Sequence, residues 1–227
     1  MKDLLTVIYY TSSIEAIEGK AIEQLLKVCG DLPIVSVSHK PLSLGTNVCV
    51  GDQHPCDMNI YRQIQIACEN ATTPFVINAE ADCLYPPDYF KFRPDNSVPL
   101  YRYSNVFILD IRDTLFYRKE WSECGQIANR EWLLDRITQA LKDRPQWATD
   151  REFGRFNANK SGVYERRRWG HFGMNQPIVN VKTGCGIRTG CKSGSQIGVD
   201  RIPYWGTFEE VKSRVWVPEL DWMVNPK

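Results

Sequence analysis

The 227-residue sequence contains no G-x-G-x-x-G after a strand-like run and no G-x-x-x-x-G-K-[ST] anywhere. Those absences remove the ordinary dinucleotide-binding and P-loop readings, which need glycines to bring backbone N–H groups against phosphates. There is no C-x-x-C among eight cysteines. The candidate zinc ligands Cys49, His54 and Cys56, or Cys185 and Cys191, fit no closed four-ligand spacing, and the thiols read as reduced. Long apolar runs are also missing. Leu4–Tyr10 is the only strongly apolar stretch near the start, too short for a membrane span or the core of a secretory leader, so a soluble, cytoplasmic protein is expected. No internal repeat, low-complexity tract or linker interrupts the chain. With 43% hydrophobic and 24% charged residues the composition is that of a globular domain, which excludes disordered and collagen-like classes.

Excess charge of one sign is missing as well: 28 basic residues face 27 acidic ones, a net charge of +1. The balance hides an uneven distribution. Between Arg151 and Arg201 ten Lys or Arg stand against three acids, which makes that segment +7 and leaves −6 for the rest. Nine of the fifteen glycines lie in the same segment. A loop-rich basic stretch beside an acidic remainder points to an anionic ligand.

The first ninety residues alternate as βαβαβ. LLTVIYY is too continuous for a half-exposed strand and too short for a helix, so it reads as a buried parallel strand. Ser12 with Glu15 has capping-box spacing, and Ile14, Ile17, Ala21, Ile22, Leu25 and Cys29 recur at helical intervals until Gly30. Pro33 opens the strand IVSVS. Asp57 is placed to cap a helix carrying Ile60, Ile64, Ala67 and Ala71, and PFVINA forms a third strand running into EADCLYPPDYF, where two prolines end regular structure. Farther on, RYSNVFILD reads as one strand, Asn129–Leu141 as a helix, QPIVNVK as a late strand, and Thr207 with Glu210 caps FEEVKSRV. The economical reading is one α/β domain, mostly parallel in front and mixed behind.

In an open parallel sheet ligands bind at the carboxyl ends of the strands. Three polar clusters fall there: Thr11–Ser13, Ser38–Lys40, and Glu80 with Asp82. An acid-x-acid pair leaving a buried strand puts two carboxylates at one rim, where they can hold a hard divalent cation that bridges a diphosphate. Alternatively, Asp82 makes a turn and Glu80 caps a helix. With no phosphate loop, a nucleotide site here would rely on a cation and on basic side chains from the later segment.

VIYYTSS, VSVSHKPLSLGTNVCVG, MNIYRQIQIACENA and above all VINAEADCLYPPDYFKF resemble a GT-A-like group of nucleotide-sugar glycosyltransferases found in bacteriophages and bacteria. RYSNVFILD, ANREWLLDRI and RRWGHFGMNQPIVNVKTG continue the resemblance over most of the chain. It implies a Rossmann-like GT-A fold, with residues 1–95 as the nucleotide-binding half and 96–227 as the acceptor side. It also implies a nucleotide-diphosphate sugar, UDP-linked, as donor, and Mn2+ or Mg2+ as cofactor. Asp82 would be the main metal ligand, and Glu80 would contact the ribose or the metal. Thr11 would face the base, Ser13 would lie beside it, and Asn47 and Gln63 would lie near the nucleotide sugar. Arg166, Arg167, Arg168, Lys182 and Arg188 would neutralise the diphosphate, and Glu131 or Glu123 would act as base if the anomeric centre is inverted. One departure stands out: the group tends to carry a histidine after the late strand, and here that place is Thr183. His171 or a water would then complete the metal shell, or metal dependence would be reduced.

The acceptor follows from the phage-type resemblance and the basic segment: a 5-hydroxymethylated pyrimidine in DNA, with Trp169 and Phe172 available for stacking. A saccharide acceptor using Trp205 and Trp216 as platforms is the alternative. A catalytically silent nucleic-acid-binding protein is the rival from another class.

Overall fold

A computed structural model describes residues 1–119, 122–151, 154–158, 160–164, 169–173, 175–185 and 198–221. The fold is α/β with a mixed sheet. Its first half comprises β1 (Leu5–Thr11), α1 (Glu18–Val28), β2 (Ile34–Ser38), β3 (Thr46–Cys49), α2 (Asp57–Asn70), β4 (Phe75–Glu80), β5 (Cys83–Leu84) and α3 (Pro87–Lys91). Then follow β6 (Leu100–Tyr103), β7 (Val106–Asp110), β8 (Phe116–Lys119), β9 (Gln126–Asn129) and α4 (Arg130–Ala140). The later described elements are β10 (Trp169–Phe172), β11 (Ile178–Lys182), β12 (Gly198–Val199), β13 (Arg201–Ile202), β14 (Gly206–Thr207) and α5 (Phe208–Val215), followed by a 3-10 turn at Pro218–Leu220.

Among the described residues a seven-stranded sheet runs β10-β6-β9-β4-β1-β2-β3, and a five-stranded sheet runs β12-β8-β7-β11-β5. β1 is buried at every position, as its unbroken apolar run requires of a central strand, and it pairs in parallel with both β2 and β4. Its side chains alternate between faces. Leu5, Val7 and Tyr9 pack with Leu25 and Cys29 on the α1 side, whereas Ile8 and Tyr10 join Met58, Ile64 and Ala67 of α2 and Leu133 and Ile137 of α4. The connection from β1 to β2 therefore crosses one face and the connection from β3 to β4 crosses the other. The two part at the carboxyl ends of β1 and β4, where a crevice opens by topology.

Three local expectations change. The Ser12–Glu15 capping box does not form: α1 begins at Glu18 with Ile17 at its N-cap and no side-chain cap, and the Glu15 carboxylate instead accepts from Thr183. Asp57 is the first residue of α2, with Cys56 in the cap position. RYSNVFILD is two strands in two sheets. Its hinge is Ser104–Asn105, whose backbone groups bond to Phe172 and Ile178 on separate strands. Alternating apolar residues identify a strand but not the sheet it joins.

Candidate active site

The crevice is built around the segment Glu80-Ala81-Asp82-Cys83. Glu80 ends β4, and its backbone N–H donates to the Tyr85 hydroxyl at 3.0 Å, while that hydroxyl donates to the Cys124 carbonyl at 3.0 Å. Cys83 and Leu84 pair antiparallel with β11, and the Val181 N–H donates to the Asp82 carbonyl at 2.7 Å. The turn is thus clamped from both sides. Pro87 then starts α3 at a position where a missing N–H costs nothing.

This clamp brings β11 against the acid pair. Lys182 Nζ lies 2.6 Å from Asp82 Oδ2, with the two side chains only 11% and 14% exposed. The next residue, Thr183, is buried and donates from Oγ1 to Glu15 Oε2 at 2.9 Å. On the other flank the Tyr10 hydroxyl donates to Glu80 Oε1 at 2.8 Å. Three carboxylates from β1–α1 and β4–β5 therefore converge on one ammonium from β11.

Their protonation differs accordingly. Burial would raise the Asp82 carboxyl, but the charge and hydrogen bond of Lys182 outweigh it and hold it below the ordinary carboxylate range. Glu80 and Glu15 are each pushed up to about 7, first by burial and then by the negative charge of Asp82. Burial alone would lower Lys182, yet Asp82 raises it well above an ordinary lysine. Lys119 on β8 adds a second positive charge felt by Glu80.

Glu80, Asp82 and Cys83 bring ligand atoms within 4.8 Å of one another, a spacing that can hold a metal ion. The donor chemistry narrows this. Hard divalent cations take oxygen donors, and Cys83 is a thiol raised far above its ordinary value by burial and receives the Asn180 amide at 3.0 Å. One Asp82 oxygen is already bonded to Lys182, and one Glu80 oxygen to Tyr10. A divalent ion on Asp82 would lie within about 4 Å of the ammonium, a repulsion of several kcal/mol at an effective dielectric of about 20. With Lys182 in place, these residues do not fit a resident Mn2+ or Mg2+.

The other predicted site residues fall into distinct groups. Thr11, Asn47 and Gln63 lie at the same rim but brace it from within. The Gln63 amide donates to the carbonyls of Thr11 at 2.7 Å and Val37 at 3.1 Å, tying the ends of β1 and β2 together. Asn47 donates to the Ser36 and Ser38 hydroxyls, each at 2.9 Å, and accepts from the Leu42 N–H at 3.1 Å, which occupies its amide within the β2–β3 connection. Thr11 is buried and accepts from the Ser13 N–H at 2.9 Å. Ser13 takes a left-handed conformation at φ 54°, and its hydroxyl accepts from the Lys40 N–H at 3.3 Å.

Glu123 and Glu131 separate clearly. Glu123 lies at the crevice end: its carbonyl accepts from the Asn78 amide at 3.2 Å, that amide also donates to the Tyr10 hydroxyl, and its carboxylate accepts from the Tyr61 hydroxyl at 2.8 Å. Glu131 lies at the opposite rim. Asn129 pairs with Phe75 at the start of β4, so the six-residue strand, about 17 Å long, stands between Glu131 and Glu80. It is an exposed residue facing Arg130 at 3.3 Å. This is a correction to its candidacy as a base, and the reason is the antiparallel direction of β9.

His171 does not join the acid pair either. It sits exposed on β10, three strands from β4 in the sheet order and thus about 14 Å to the side, with Nδ1 3.1 Å from the Ser104 hydroxyl. Cys49, His54 and Cys56 form no metal group among the described residues, and Cys185 is described without Cys191. Arg166, Arg167, Arg168 and Arg188 lie outside the described residues. Of the proposed aromatic platforms, Phe172 is core, 4.4 Å from Phe92. Trp169 is covered by the Arg102 guanidinium at 4.8 Å, Trp205 is buried on the Pro177 carbonyl, and Trp216 donates to Asp221 at 3.0 Å.

Glu15, Tyr10 and Lys119 are the members of the site that sequence reasoning missed. Glu15 stands at capping-box spacing from Ser12, a local signal that its bond to Thr183 overrides. Tyr10 lay inside an apolar strand, and Lys119 had no distinguishing context.

No protein-family model matches the sequence, and no curated protein matches it. Solved structures are similar in backbone at low identity. The inositol-1-phosphate CTP transferase from T. maritima has a TM-score of 0.49 and 10% identity, over 94% of this chain and 96% of that one. A glycosyltransferase involved in glycosylation of the major capsid of PBCV-1 has 0.47 and 11%, over 78% and 93%. The bifunctional IspDF from Campylobacter jejuni has 0.43 and 11%, over 76% of this chain and 50% of that one, so this chain spans about half its length. At these identities and scores the likeness says nothing about what this chain binds. Among the described residues no helix is long and apolar enough to cross a membrane.

Proposed function

We propose that the protein transfers a sugar from a nucleotide-diphosphate sugar, UDP-linked, to an acceptor hydroxyl. The observation that carries this is the acid pair Glu80 and Asp82 at the carboxyl end of β4, paired with Lys182 where the sheet's connections part. Such a rim offers carboxylates for ribose hydroxyls and cations for a diphosphate. In the reaction the acceptor oxygen bonds to the anomeric carbon, the bond from that carbon to the phosphate oxygen breaks, and the diphosphate leaves with the electron pair. A carboxylate takes the acceptor proton if the centre inverts, and Glu123 is the candidate at the correct rim. The acceptor in this reading is a hydroxymethylated pyrimidine in DNA, which rests on the resemblance and on the basic residues between Arg151 and Arg201.

Purified protein incubated with a panel of nucleotide sugars should release a nucleoside diphosphate slowly from at least one, and Asp82→Ala should reduce that release at least 100-fold. Release of pyrophosphate on incubation with a nucleoside triphosphate and a sugar phosphate would instead identify nucleotidyl transfer. Mass spectrometry of digested hydroxymethylcytosine-containing DNA should show a hexose or pentose increment, and mass gain confined to glycans would overturn the DNA acceptor.

A further inference from the structure

We infer that Lys182 is the resident cation of this site, standing where a divalent metal would otherwise meet the diphosphate, so that the protein binds its donor without metal. The inference rests on the proposed nucleotide-sugar chemistry and goes beyond it in naming what carries the positive charge.

Three observations converge. First, the Lys182 ammonium is seated on Asp82 at 2.6 Å in a nearly buried pair, so the carboxylate that a metal would need is already neutralised. An ammonium has three N–H donors, and Asp82 accepts one, which leaves others for phosphate oxygens at the crevice. Second, β11 delivers no further ligand: Thr183, the residue after Lys182, is buried and turned to Glu15. The exposed His171 lies on an outer strand and does not approach Glu80 and Asp82. Third, the position of Lys182 is fixed by its backbone. Its strand pairs with β5 directly after Asp82, and the Val181 N–H bonds to the Asp82 carbonyl, so ammonium and carboxylate are set by backbone register rather than by side-chain reach.

The consequence for the reaction is a division of labour. As the bond from the anomeric carbon to the diphosphate breaks, negative charge grows on the departing phosphate oxygens, and an ammonium fixed at the rim meets it by charge-assisted hydrogen bonds. The electron pair leaves with the diphosphate, and Lys182 keeps its protons. Asp82 serves as the anchor that orients Lys182.

Two arms test this on the full chain. In the first, Mn2+ alone is titrated into nucleotide-free protein and followed by electron paramagnetic resonance. Wild type should take up no stoichiometric Mn2+ at 1 mM, whereas Lys182→Met, which frees Asp82, should bind one ion at least tenfold more tightly than wild type. That gain should vanish in Lys182→Met/Asp82→Asn, which removes both charges and serves as the folding control. One tight Mn2+ in wild type that is lost in Asp82→Asn overturns the inference, as does a folded Lys182→Met that binds no better than wild type. In the second arm UDP binding to wild type is measured by calorimetry in EDTA and in MnCl2. Affinities within tenfold support the inference, and a tenfold or greater requirement for Mn2+ overturns it. UDP binding in neither condition overturns the proposed function itself, while the Mn2+ arm still decides what occupies Asp82.

Discussion

Glu80 and Asp82 are separated by a single residue yet are shifted in opposite directions, because only Asp82 touches the ammonium of Lys182. Glu80 and Glu15 hold protons in the folded protein that the unfolded chain would release near its ordinary value of 4.5. Stability from a raised carboxyl is fully present below the unfolded value and is lost as pH rises through the folded one. Folding free energy measured by urea denaturation should therefore fall between pH 5 and pH 8, by at most about 5 kcal/mol for the two together. Glu15→Gln and Glu80→Gln should each flatten that slope. A slope that rises across the same window would show that the two carboxylates are ionised and well paired. Asp82 acts in the opposite sense: its lowered carboxyl contributes stability above its ordinary value and loses it in acid.

At the scale of elements, three helix starts meet three different fates. Asn129 accepts from the Trp132 N–H at 3.0 Å and closes the start of α4. Thr207 and Glu210 form a reciprocal capping box on α5. Ser12 and Glu15, with the same spacing, form none. Alanine at Asn129 or at Thr207 should each cost about 1 kcal/mol in urea denaturation, while Ser12→Ala should change stability by less than about 0.5 kcal/mol. A Ser12→Ala loss equal to the others would mean that α1 starts where its spacing suggested. The difference is tertiary: the Glu15 carboxylate has a partner in Thr183, just after β11 and 168 positions away, that a local cap cannot match. The splitting of RYSNVFILD between two sheets has the same origin, since Arg102 pairs opposite Gln126 while Phe107 pairs beside Val179.

Across the whole molecule, burial is steeply graded from the centre of the large sheet to its edge. β1 is buried throughout and flanked on both sides, whereas β3 at the end of the order is exposed at both ends and half-buried between them. Amide hydrogen exchange should be slowest in β1 and β4, approaching the global unfolding limit, and faster by several orders of magnitude in β3. Equal protection in β3 would indicate that another surface covers this edge. The charge asymmetry also changes meaning at this scale. Arg151, Arg155, Lys160 and Arg201 of the +7 segment are exposed, and among the described residues the acidic and basic portions meet where Lys182 contacts Asp82.

The sequence by itself determined the strands β1, β2 and β4, most of α1, α2 and α4, and the placement of an acid pair at a strand's end. These depend on apolar runs, helical spacing and residues within a few positions of one another. Only the tertiary structure decided which end of the sheet Glu131 occupies, that Asn47 and Gln63 brace the rim, and that the acid pair meets an ammonium. Asp82 and Lys182 lie 100 positions apart, and their contact is set by the antiparallel register of β5 on β11. Such pairing is decided by packing across the whole sheet, where a shift of one residue would turn Lys182 to the other face. No local pattern in the chain encodes that choice.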